Sequence, residues 1–190
     1  ERFGFVTKFM VADNGYTTHP EMENVEYDEF VVATDSMSGE DVLTIQKILF
    51  LIDFGHFRSQ LKELIFLAEC YGIRTSELLL NCVKRPDLCP TLTEYAERCA
   101  GEIHGGFHDT PEQVADYVKG AMKTDPSQVR GFFQIRDNMT ISILLDGKLE
   151  EAVDEMARLI EALYIGRHGA PSPTLAEELA AVSELTHKSF

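Results

Sequence analysis

The chain lacks tryptophan altogether and carries only four cysteines in 190 residues. Those cysteines, Cys70, Cys82, Cys89 and Cys99, show neither a CxxC nor a CxxxCxxC spacing. An iron–sulfur cluster or structural zinc normally begins from one such close pair. The pattern therefore predicts free thiols in a reducing compartment, and a cytoplasmic location. Long hydrophobic runs are also missing. The longest apolar stretch, Ile45 to Ile52, is broken by Gln46 and Lys47 and falls far short of a membrane span. The chain opens Glu1-Arg2-Phe3, with no initiator methionine and no secretory pattern, which predicts an interior start within a longer polypeptide. Gly-x-Ser-x-Gly, Walker and dinucleotide fingerprints are absent. Positive charge is scarce: 17 Lys and Arg stand against 32 Asp and Glu, a net charge of -15. A surface of that sign repels phosphate backbones and anionic lipid, so nucleic acid and membranes are not expected as partners. Lys84 and Arg85 form only an isolated basic pair.

What is present is ordinary globular material. Hydrophobic residues make up 44% of the chain and charged residues 26%, enough apolar surface for a core without disulfides or metals. Phe3–Val11 and Tyr27–Thr34 read as strands, joined through a turn at Asn14-Gly15 and an acidic loop. Ser38 and Asp41 have capping-box spacing and open a helix expected from Gly39 to Phe54, ended by Gly55. Its stripe is Val42, Ile45, Leu49 and Ile52, with further apolar residues outside it, as in a core helix. A second helix is expected over 57–71, closed by Gly72 with Ile73 folding back. Thr75 caps a third helix to Val83, and a fourth spans 92–103. Thr110-Pro111-Glu112-Gln113 combines a cap, an N1 proline and a capping-box glutamine for a helix to Met122.

After Gly131 the apolar pattern changes. Phe132–Ile135 and Met139–Leu145 alternate about Asp137-Asn138 and predict a second hairpin. A long amphipathic helix follows over 148–165, with Leu149, Val153, Met156, Ile160 and Leu163 as its stripe. A last helix is capped by Thr174 with Glu177. The fold class expected is α+β: a predominantly helical bundle with two short β-hairpins. Residues 1–125 and 126–190 form its two regions, packed as one domain.

Three groups of residues invite chemistry. Glu102, His104 and His108 place two imidazoles and a carboxylate close in sequence, so they are candidate metal ligands, although Gly105 and Gly106 break the helix that would align the histidines. Asp53 and His56 have acid–base spacing near a helix end, where a capping role is the plainer alternative. The Ser36-Met37-Ser38-Gly39 stretch precedes a helix N-terminus, but Asp35, Glu40 and Asp41 fill that position with negative charge, which favours a cap over an anion site.

One run also carries a resemblance. Thr7-Lys8, Asn14-Gly15-Tyr16, the acidic Glu26-Tyr27-Asp28-Glu29-Phe30, then Val31-Val32-Ala33-Thr34-Asp35-Ser36-Met37-Ser38-Gly39-Glu40-Asp41 lead into an apolar helix. With Tyr71-Gly72-Ile73, this order resembles the region after the barrel in cobalamin-binding (B12-type) radical SAM proteins, the Fe-S oxidoreductases. The resemblance implies a C-terminal accessory segment that covers or shapes the barrel opening. It implies a parent enzyme using a 4Fe-4S cluster, S-adenosylmethionine and cobalamin, with an unknown small-molecule substrate. The partner it implies is the upstream barrel of the same polypeptide. The cluster cysteines and the cobalamin histidine are absent from this chain, so no cofactor and no catalytic residue is expected within it. Two rival expectations are a free-standing helical ligand- or protein-binding module and a metal-dependent enzyme centred on His104 and His108.

Overall fold

In the computed structural model, residues 4–16 and 25–188 are described. They form one antiparallel strand pair, β1 (Val6–Tyr16) and β2 (Val25–Ala33), and eight α-helices. The helices are α1 (Gly39–Ile52), α2 (Lys62–Cys70), α3 (Thr75–Lys84), α4 (Pro90–Gly105), α5 (Pro111–Thr124), α6 (Phe132–Leu145), α7 (Leu149–His168) and α8 (Pro173–Lys188). The class is mostly helical α+β, with one hairpin among the described residues.

The chain folds as two compact units. One is Glu1–Ile45 with Cys99–Asn138; the other is Gln46–Arg98 with Met139–Phe190. The division expected near residues 125 and 126 falls inside the first unit.

In the first unit, β1 and β2 pair with Lys8 opposite Phe30 and Met10 opposite Asp28. No turn forms at Asn14-Gly15. Strand β1 runs on to Tyr16 through an irregularity after Val11, and the acidic loop lies outside the described residues. Phe9 exchanges backbone hydrogen bonds with His108 at 2.8 and 2.7 Å, adding a short third rung. Met10 is fully buried, and Phe30 packs its ring on Phe107 and Phe132. Helix α5 starts as the sequence predicts. Thr110 Oγ1 accepts from Gln113 N, while the Gln113 side chain takes the N–H of Asp109.

The second hairpin does not form: residues 132–145 are helix α6. Its buried positions, Ile135, Arg136, Met139, Thr140 and Ile143, recur at spacings of three and four, the helical period. Apolar residues on nearly every side produced the apparent alternation. The helix start is fixed from far away. Asp13 accepts the N–H groups of Phe133 and Gln134, both at 2.9 Å.

Helix α1 ends at Ile52, and the chain continues as a π-helical turn, Asp53–Phe57. Gly55 does not terminate it. A Cβ there would stand 3.2 Å from Ile65 Cδ1, so the glycine permits close approach. The reversal comes at Ser59, with φ of 61°, so α2 begins at Lys62 and not at Phe57. The stripe expected for α1 is not its buried side. Phe50, Leu51 and Gln46 are buried, whereas Ile45 is exposed, because a helix apolar all round has no unique inward face.

The second unit keeps several local signals. Gly72 adopts φ of 78°, and Ile73 N–H reaches Ala68 O at 2.9 Å, closing α2 as a Schellman motif with Ile73 fully buried. Thr75, by contrast, does not cap α3: Arg74 holds the cap position, Thr75 is the first helical residue, and its hydroxyl donates to Glu69 at 2.5 Å. Leu149, Val153, Met156 and Ile160 of α7 are buried and Leu163 is half-buried, so that stripe is core over most of its length. Helix α8 is capped by Ser172, whose hydroxyl accepts from Leu175 N–H at 3.3 Å, and not by Thr174. Pro173 is its first residue and needs no N–H partner there.

Candidate functional site

The segment that carries the family resemblance is built from short-range hydrogen bonds. Thr34 N–H donates to Met37 O at 2.8 Å, and Ser36 N–H donates to Thr34 Oγ1 at 3.2 Å. Ser38 then caps α1: its N–H and its hydroxyl both donate to Asp41 at 2.8 and 2.7 Å, and Asp41 N–H returns a bond to its hydroxyl at 3.2 Å. These bonds hold the Asp41 carboxyl below the usual range. The Asp41 carboxylate takes the Ser38 N–H and hydroxyl and places its own negative charge at this helix start.

Glu102, His104 and His108 do not converge. Glu102 lies 2.9 Å from Arg130 Nη1, an ion pair whose angle falls short of a hydrogen bond. His104 is exposed, with its ring edge-on to Phe107. His108 lies on the Tyr117 ring at 5.2 Å, and burial lowers its pKa, opposed by neighbouring Asp109. Asp109 itself pairs with Lys8, which holds it below the ordinary carboxylate range. Among the described residues, no three His, Cys, Asp or Glu side chains group to hold a metal. A small cavity of about 190 Å³ does open beside Glu102 and Arg130, walled by Val11, Tyr117 and Ile135. The Tyr117 hydroxyl donates to Gln128 O at 2.7 Å across its rim.

Asp53 and His56 share the π-turn but take different neighbours. Asp53 lies 3.7 Å from Arg58, while His56 is exposed beside Phe57. None of the four cysteines forms a disulfide. Cys82 and Cys89 are wholly buried, and a hydrogen bond with Cys89, together with burial, pushes the Cys82 thiol well above its ordinary value. A thiol so perturbed is a poor nucleophile.

The sequence did not point to the larger cavity, about 330 Å³, in the second unit. Ile52, Ile65, Phe66 and Leu79 form its apolar walls, and Lys62, Glu69, His56 and Thr75 supply its polar groups. The signal was obscured because the residues come from α1, the π-turn, α2 and α3, and only the unforeseen π-turn and the Ser59 reversal bring them together.

No helix among the described residues is long and apolar enough to cross a membrane. Comparison with protein-family models, curated proteins and solved structures returns no match.

Proposed function

We propose that the chain is a non-catalytic accessory module of a cobalamin-type radical SAM enzyme, lying after the barrel and covering or shaping its opening. The observation that carries this reading is helix α1 and the segment leading into it. The residues of the resemblance run as strand β2, a tight turn at Thr34–Met37, the Ser38–Asp41 cap and then α1. Eight of the 14 residues of α1 are apolar, yet only Phe50 and Leu51 among them are fully buried. Val31 of β2 and Ile45 of α1 are 42% and 45% exposed. A helix with core composition and an incompletely covered surface suits a segment that completes its packing against a further body. In this reading the 4Fe-4S cluster, S-adenosylmethionine and cobalamin belong to the parent enzyme, the upstream barrel is the partner, and the setting is cytoplasmic.

The coding sequence immediately upstream of Glu1 tests the proposal. A continuous frame carrying a barrel with a CxxxCxxC motif is the expected result. An initiator methionine directly before Glu1 would overturn it, as would a stoichiometric iron–sulfur absorption band from this chain alone. The cavity between α2 and α3 favours a second reading, a helical ligand-binding module that stands by itself.

A further inference from the structure

The cavity of the second unit has a charge arrangement that its helix does not explain. Lys62 is the first residue of α2 and Glu69 is the last but one. A cation at the positive end of a helix and an anion at its negative end both oppose the helix dipole. The two residues are seven apart, so they lie nearly on one face, separated by about 10.5 Å of helix rise. Ile65 and Phe66 lie between them in sequence and line the same cavity. Among the described residues Lys62 makes no ion pair. Glu69 accepts the Thr75 hydroxyl at 2.5 Å, and among the described residues its other oxygen takes no donor. The walls from Ile52 and Leu79 complete an apolar middle between two opposite charges. A volume of about 330 Å³ is at the small end of the range for ligand sites.

We propose that this cavity binds a zwitterion with an apolar body, of the size of a short hydrophobic dipeptide, with its carboxylate at Lys62 and its ammonium at Glu69. An extended dipeptide spans about 7 Å. A charge-assisted contact of about 2.8 Å at each end brings the total to roughly 13 Å, against about 10.5 Å of helix rise between the two residues, a difference that their flexible side chains span. A simple anion would be repelled by Glu69, and a simple cation by Lys62. A neutral apolar molecule would leave both charges without a partner. The π-turn at Asp53–Phe57 brings His56 into the lining, and a π-turn is a backbone feature that recurs at functional sites. The site consists of this chain's own residues and is independent of the parent enzyme.

Titration of the full chain with leucyl-leucine, followed by amide chemical shifts, tests the inference. Saturable shifts are expected at Ile52, Ile65, Phe66 and Leu79, with the remaining spectrum unchanged. N-acetylation or C-terminal amidation of the dipeptide should each weaken binding about tenfold, the effect of losing one charge-assisted hydrogen bond. Lys62→Met should weaken the free dipeptide by a similar factor and abolish the penalty for amidation. Glu69→Gln should abolish the penalty for acetylation. The absence of saturable shifts up to about 10 mM would overturn the proposal. Equal affinity for all three ligands would also overturn it, since the two charges would then play no part.

Discussion

Glu155 is 2% exposed and therefore one of the few buried charged side chains described. Its two carboxylate oxygens accept the N–H groups of Thr91 and Leu92 at 2.8 and 2.9 Å, at the first turn of α4. The preceding residue, Pro90, has no N–H, so one side chain from α7 satisfies the first donors that α4 presents. Glu155→Ala leaves both donors buried without an acceptor and should cost about 2–4 kcal/mol of stability. Glu155→Gln keeps one acceptor oxygen but turns an amide NH2 toward the other N–H, and should cost less than Glu155→Ala without restoring the wild-type stability. Urea denaturation of the three proteins measures both differences. Tyr95 gives a second prediction. It is 3% exposed and donates to Asp146 at 2.5 Å. Burial first, and then the hydrogen bond and negative charge of Asp146, push its phenol from 10.0 up to about 12. Above pH 10 the unfolded chain loses this proton while the folded chain keeps it. Stability should therefore fall as pH rises from 10 to 12. Melting temperatures of wild type and Tyr95→Phe should converge across that window, with the wild type losing more. Parallel curves would refute the assignment.

Helix α6 shows how one element depends on a distant residue. Gly131 stands just before it, and a Cβ there would come within 2.6 Å of Asp13 Oδ1 and 2.7 Å of Asp13 N. Gly131→Ala must displace the carboxylate that caps the helix. A loss of about 2 kcal/mol is expected, combining a clash with a lost cap. Thermal unfolding of Gly131→Ala beside Asp13→Ala tests this, and the double variant should be little worse than either alone. Legibility in the sequence follows the same division between near and far. The Ser38–Asp41 cap, the Thr110 start and the Gly72–Ile73 stop involve residues within a few positions, and all three were readable. Asp13 reaches Phe133 across 120 positions, and no local pattern announces it. Alternation of Met139, Ile141, Ile143 and Leu145 therefore read as a strand, although Leu145 is 82% exposed and Ile143 is buried, as one helical face requires. The cavity of the second unit was illegible for a related reason. It depends on an i to i+5 bond, Arg58 N–H to Asp53 O at 2.8 Å, that ordinary helix signals do not encode.

At the scale of the molecule, charge dominates. A net charge of -15 on 190 residues destabilises the folded state through self-repulsion, and several described acids have a close basic partner at the surface. Added salt screens both effects, but repulsion among the many excess carboxylates outweighs the few exposed pairs. Raising sodium chloride from near zero to physiological ionic strength should raise the melting temperature by a few degrees. Calorimetry at fixed pH would show a fall instead if the ion pairs prevailed. The two compact units have a different consequence, one for inheritance. Their boundaries fall at Ile45, Arg98 and Asn138, each inside a helix, and each unit is assembled from two separate stretches of chain. A recombination break point anywhere between residues 45 and 139 would give both offspring genes an incomplete share of both units. A crossover with an unrelated gene leaves one of the units whole only when it falls outside that interval.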